Sequence, residues 1–177
     1  MTLGWPVISN AATNQATNLA GGSVSLTPSG ALTVNAVNLA LVKQARDLAG
    51  AVLPGGSNVT VGQQIYFVLY VDNVTAISAN DIRMTDLLNG TQFTYVAGSL
   101  ETTVVPTGSG NAAIWTGPWT TLSDAVGGPD DLASVTDSGG PPGLDRVTVG
   151  VVSTQANQTV DIPAGMLRAI RFLVTVN

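Results

Sequence analysis

Cysteine and histidine are absent from the 177 residues, and charge is scarce: Asp, Glu, Lys and Arg make up 10% of the chain, against about a quarter in an average soluble protein. Lys43 is the only lysine and Glu101 the only glutamate; the remaining acids are ten aspartates. No thiolate nucleophile, disulfide, imidazole base, Ser-His-Asp triad or Cys/His zinc site can be built from this alphabet. Net charge is −5 and the five arginines are scattered, so no basic stripe exists to follow a phosphate backbone, and nucleic acid is not expected as a partner. Long apolar runs are missing too. The longest, residues 65–71, has seven residues, where a spanning helix needs about 20. Residues 37–53 are broken by Lys43, Arg46 and Asp47. No membrane span is expected. The first six residues, Met1-Thr2-Leu3-Gly4-Trp5-Pro6, lack the basic start and apolar stretch of a signal peptide. A processed chain, another export route and an internal location all stay open on that count.

What is plentiful is Ser, Thr, Asn, Gln and Gly, together with Val and Thr in alternating runs. A neutral polar surface of this kind is associated with extracellular polymers and envelope proteins, so an extracellular or cell-surface location is expected. In residues 58–71, Val59, Val61, Gln63, Ile65, Phe67, Leu69 and Val71 share one side, which predicts a central strand. Its other side (Thr60, Gln64, Tyr66, Val68, Tyr70) is mixed and suits a second layer. A long final strand is predicted over 167–176. Shorter ones are predicted over 81–86, 92–96, 100–105, 112–115 and 146–152, each bounded by Gly, Pro, Asn or Ser. Short strands with turn signals between them predict an all-β fold, a β-sandwich. Residues 39–49 fit a helix or a strand over 37–45 followed by a loop; the strand is the better fit. Residues 106–145 hold many glycines and prolines and read as a long loop set, which is unusual without a role. Before residue 37 the chain changes character. Residues 7–20 read as a linker, a short helix or an extended arm. Strand-like pieces at 23–27 and 31–36 then flank the turn Thr27-Pro28-Ser29-Gly30.

The order of these signals over 37–177 resembles the conserved-repeat, immunoglobulin-like domain of bacterial and archaeal cell-surface proteins. The matching pieces are Lys43, Pro54-Gly55-Gly56, Gly62-Gln63-Gln64-Ile65-Tyr66, Asp72-Asn73, the stretch 76–80, Thr85-Asp86-Leu87, Tyr95-Val96-Ala97-Gly98-Ser99 and Pro163-Ala164-Gly165. Leu88-Asn89-Gly90 departs from the family's usual Leu-Pro-x-Gly, and the first 35 residues lie outside the match. The resemblance implies an immunoglobulin-like sandwich acting as a structural or adhesive module, with no catalytic residues. Such domains usually occur in tandem. This chain shows one copy and an arm at 1–36, so linkage between copies has to come from something other than chain continuity.

The arm offers a mechanism. An open sandwich leaves backbone groups unpaired along its edges, normally blunted by charge, and this chain has little charge for the purpose. A segment from another subunit could add itself to an edge, inserting Val24 and Leu26, or Leu32, Val34 and Ala36; if the rotation does not close, head-to-tail addition makes a filament. The plain alternative is that residues 22–36 form the first hairpin of their own domain. Asp124, Asp130, Asp131, Asp137 and Asp145 crowd the loops and suit calcium, the one cofactor the sequence suggests. They equally suit turns and caps. Trp115 and Trp119 flank Gly117-Pro118; they could stack on a sugar, but packing over the open end of the sandwich is the more ordinary role. Sequons at Asn58, Asn73, Asn89 and Asn157 could carry glycans in an exported chain. Lys43 and Asn177 raise an isopeptide crosslink, which would need a buried acid beside them. The expectation is a non-enzymatic extracellular subunit that assembles with copies of itself into a filament or sheath by strand exchange. The alternative is a monomeric surface module that binds calcium or a glycan through its 106–145 loops. An enzyme pairing acids between Asp124 and Asp145 comes third, since nothing fixes their separation.

Overall fold

The computed structural model describes residues 2–4, 23–26, 32–35, 39–126, 132–139, 143–151 and 157–177. The strands are β1 (Thr2–Gly4), β2 (Ser23–Leu26), β3 (Leu32–Asn35), β4 (Leu39–Arg46), β5 (Val52–Leu53), β6 (Gln64–Asn73), β7 (Arg83–Leu87), β8 (Phe93–Tyr95) and β9 (Glu101–Pro106). The helix α1 (Asn111–Trp115) precedes β10 (Thr120–Thr121), β11 (Ala133–Thr136), β12 (Arg146–Val149) and β13 (Met166–Val176).

The larger sheet runs β10-β9-β13-β6-β4-β5, with β8 beside the far end of β13; the smaller runs β1-β7-β12-β11. All pairings are antiparallel, and β2 pairs with β3 in a two-stranded sheet of its own. The chain is an all-β sandwich. Period-two alternation decides which way each side chain faces. Ile65, Phe67, Leu69 and Val71 of β6, with Ile170, Phe172 and Val174 of β13, face inward and meet Met84, Val147, Val149, Ala133 and Val135 of the smaller sheet. Each large side chain so buried stabilises the fold by about 1.5–3 kcal/mol. The opposite faces of β6 and β13 are not bare either: Val68, Leu167 and Ala169, with Val105 of β9, pack against Ile114 and the half-buried Tyr70, Trp115 and Trp119. This is the second layer that the mixed face of residues 58–71 implied.

The alternation in 58–71 starts later than the sequence suggests. Gln63 N–H donates to the Thr60 carbonyl, Gly62 sits at φ +82°, and Val61 is 80% exposed. A turn therefore occupies 60–63, and only Gln64 onward is strand. Residues 112–115, read as a strand, belong to α1. Ala112 and Ile114 suit either period over so short a window; an extended Gly110 starts the turn, and only Ile114 is buried. Residues 39–46 are a strand, as preferred. The 106–145 stretch is less loop-like than its glycines suggest, since α1, β10 and β11 lie within it.

Candidate functional site

The features that could act on other molecules are sheet edges, loops and the N-terminal strands. Inward-facing Lys43 on β4 reaches across the sandwich to Asp86 on β7, with Nζ 2.8 and 2.7 Å from the two carboxylate oxygens, and stands 4.6 Å from the Phe67 ring centroid. This ion pair places β4 opposite β7 on one flank. On the other flank, Val135 N–H of β11 donates to the Asp124 carbonyl and Leu122 N–H to the Leu100 carbonyl. Backbone bonds across the gap thus tie that side shut. Among the described residues the β4/β7 flank is held by side chains only.

On that flank the backbone edges are only partly covered among the described residues. β5 pairs with β4 only at Ala45 and Arg46. Among the described residues no strand pairs the same side of 39–44, where Leu39, Leu41 and Val42 are part-exposed. β7 is covered over three residues by β1: Thr2 opposite Thr85, Leu3 opposite Met84 and Gly4 opposite Arg83. Leu87, next along β7, is 59% exposed. The five proposed insertion residues fall differently. Val24 pairs with Val34 and Leu26 with Leu32 in the β2–β3 hairpin, while Ala36 lies outside the described residues. The segment that meets a sandwich edge is β1. Three residues carry no periodic signal, so sequence reading did not find it.

The outer face of the larger sheet is closed over by the 107–119 segment. Arg46, at 0% exposure, donates to Gln44 Oε1 from Nε and Nη2, to the Asn111 carbonyl (2.8 Å) and Gly50 carbonyl from Nη1, and to Asn111 Oδ1 from Nη2. All five guanidinium hydrogens are used on neutral acceptors, and desolvation pulls its pKa below the usual arginine value. Arg171 pairs with Glu101 at 2.6 Å and lies 4.7 and 4.2 Å from the Trp115 and Trp119 ring centroids. The tryptophans therefore pack, but on the sheet face and not over the sandwich end. Their ring faces hold a guanidinium where a sugar would stack.

The described loop aspartates, Asp124, Asp137 and Asp145, do not converge. Asp124 accepts from the Tyr95 hydroxyl (2.6 Å) and from Gly98 N–H (2.7 Å); Asp137 accepts from Gly139 N–H; Asp145 accepts from Ser138 N–H and its hydroxyl. Asp137 and Asp145 stabilise their own loop, while Asp124 ties its loop to the 95–98 turn. No group of three ligating residues suited to a metal occurs among the described residues, and Asp130 and Asp131 lie outside them. Asp124 has an effect that can be measured. Burial first, and then the hydrogen bond to Asp124, raise the Tyr95 pKa well above its ordinary 10.0. A raised folded-state pKa stabilises the fold below the unfolded value and is lost as pH climbs past it. Unfolding free energy should therefore fall above about pH 10. Tyr95→Phe should flatten that slope while lowering stability at pH 7 by about 1 kcal/mol, as read by denaturant melts at pH 7 and in steps from 9 to 11.

Burial separates the sequons. Asn58 and Asn89 are exposed. Asn73, at 0% exposure, donates from Nδ2 to the carbonyls of Ile77, Ile162 and Pro163 and accepts from Thr75. Asn157, at 4%, donates to the Thr148 carbonyl. These two are structural ties with no room for a glycan on the amide nitrogen. The Lys43–Asn177 pairing is also corrected. Lys43 is committed to Asp86, while Asn177 bonds Thr94 and the Gly90 carbonyl at the chain's far end. No helix among the described residues is long and apolar enough to cross a membrane. Comparison with family profiles, curated proteins and solved structures finds no match to this chain.

Proposed function

We propose that the protein is an extracellular structural subunit whose copies join by exchanging N-terminal strands between sandwiches. The observation that carries this reading is the β4/β7 flank. A backbone edge with one charged side chain, Lys43, runs along 39–44 with no strand beside it among the described residues, and a short N-terminal strand already lies on β7. Edges left open in this way are templates for another chain, and strand addition gives affinity through main-chain bonds whatever the side chains. The edge carries a single guard: Lys43, the only lysine, points inward to Asp86, and no other charged residue and no proline lies in 39–44. A net charge of −5 over 177 residues also offers little repulsion between copies.

Negative-stain microscopy of the full chain should show fibres or sheaths. A chain lacking residues 1–36 keeps all the buried core residues among those whose burial is described, which lie beyond residue 60, and should run as a monomer in size-exclusion chromatography. Persistence of the same fibres after truncation would sink the reading, and so would single particles from the full chain at high concentration. Monomers that bind calcium or an oligosaccharide would instead support the surface-module alternative.

A further inference from the structure

We infer that the β7 edge at 83–85 is the acceptor seat for β1 of a second copy, and that the β2–β3 hairpin is not the inserted element. This rests on the strand-exchange reading above and names its two halves. The register is fixed by the pairing seen within one chain: Thr2 opposite Thr85, Leu3 opposite Met84, Gly4 opposite Arg83. β2 and β3 each spend one backbone edge on the other. β1 is the N-terminal strand that brings a single edge to the sandwich.

Three features favour exchange at this seat. A three-residue strand is weakly held on its own, so the pairing within one chain opens readily. Eighteen residues, 5–22, separate Gly4 from Ser23, a length that reaches about 60 Å when extended and so spans to a neighbouring body. The hydrogen bonds made by β1 are the same within a chain or between chains. Exchange therefore loses no strand pairing and adds whatever surface the two sandwiches bury together. Leu87, 59% exposed beside the seat, supplies apolar surface for that contact. Each copy donates one β1 and offers one β7, so the contact is head-to-tail and propagates unless the rotation closes.

The absence of native cysteine gives a clean test. Thr85 is half-buried and alternates with the buried Met84 and Asp86 of β7, so a Thr2→Cys/Thr85→Cys chain carries two thiols at directly opposed strand positions. Directly opposed strand positions fall within disulfide reach. Assembled material is oxidised and run on a denaturing gel without reductant. The expected result is a ladder of covalent multimers that collapses to monomer on reduction. Filaments that yield only internally bridged monomer, or no disulfide at all, overturn the β7 seat while leaving strand exchange at another edge, such as 39–44, standing. Absence of any assembly overturns the reading beneath it. Mixing the single variants Thr2→Cys and Thr85→Cys repeats the test without a competing internal bond. Covalent dimers are then expected, and filaments without them overturn the assignment.

Discussion

Gly150→Ala is expected to remove about 4 kcal/mol of stability, a large share of a small domain's total. Gly150 closes β12 at φ +75°, where an L-residue with a Cβ is strained by about 1–2 kcal/mol. Space is the larger problem. A Cβ at this position would stand 2.2 Å from the Ile82 carbonyl oxygen, a backbone atom at the entry to β7. Ile82 cannot swing aside, because its N–H is bonded to the Val160 carbonyl, and Gly150 N–H is itself bonded to the Leu132 carbonyl. The smaller sheet would have to open between β7 and β12. Gly55 is the control: a Cβ there meets nothing within 4 Å and its φ is not positive. Gly55→Ala should be neutral or stabilise by up to about 1 kcal/mol. Urea melts of the two variants read the difference directly. A loss below about 1 kcal/mol in Gly150→Ala would show that the sheet yields at that point.

Arg46→Met is expected to lower stability by about 3 kcal/mol. The guanidinium is fully buried and joins Gln44 on its own strand and the nearby Gly50 turn to Asn111 at the start of α1, 65 residues away. Removing it strips donors from two backbone carbonyls and two side-chain oxygens. Asn111 is exposed and Gln44 partly so, and both can regain water, which keeps the loss below the sum of the separate bonds. Methionine preserves much of the apolar stem, so packing contributes little to the difference. Arg46→Lys should recover less than half, because an ammonium offers its donors from one point and cannot serve acceptors on both sides. Trp115, whose ring lies 5.8 Å from the guanidinium carbon, reports on the same region. Its fluorescence should shift to longer wavelength in Arg46→Met as the 107–119 cover loosens. An unchanged spectrum with an unchanged urea midpoint would mean that the cover is held by Ile114 and the aromatic stack alone.

Arg46 also shows where sequence reading stopped. In the one-dimensional pattern it is a charge that interrupts an apolar run, and its scarcity argued only against nucleic acid. Nothing local announces that Asn111, 65 residues away, supplies its acceptors. Lys43 is similar: the resemblance marked it as a matching piece, but Asp86 as its partner follows from two sheets lying face to face. Residues 112–115 failed for a different reason, since Ala-Ala-Ile-Trp satisfies both periods and the choice falls to what lies beneath Ile114. In 58–71 the alternation ran on through Val61 because apolar residues in a turn look like strand residues until exposure is known. The sequons and the loop aspartates were found by residue type, a signal blind to burial. Asn58 and Asn89 stay exposed while Asn73 and Asn157 become internal ties.

By itself, the sequence determined the chemistry that is excluded and the class of fold. Both follow from composition and period-two alternation, properties that need no partner to be read: without Cys or His whole families of site cannot exist, and Thr- and Val-rich alternation cannot bury a face except in a sheet. The tertiary structure decided which edges stay open, which strand reaches β7, and which polar groups are spent inside. These are matters of pairing between distant segments. A sheet edge is open only because no other segment lies beside it, and that depends on where the whole chain goes.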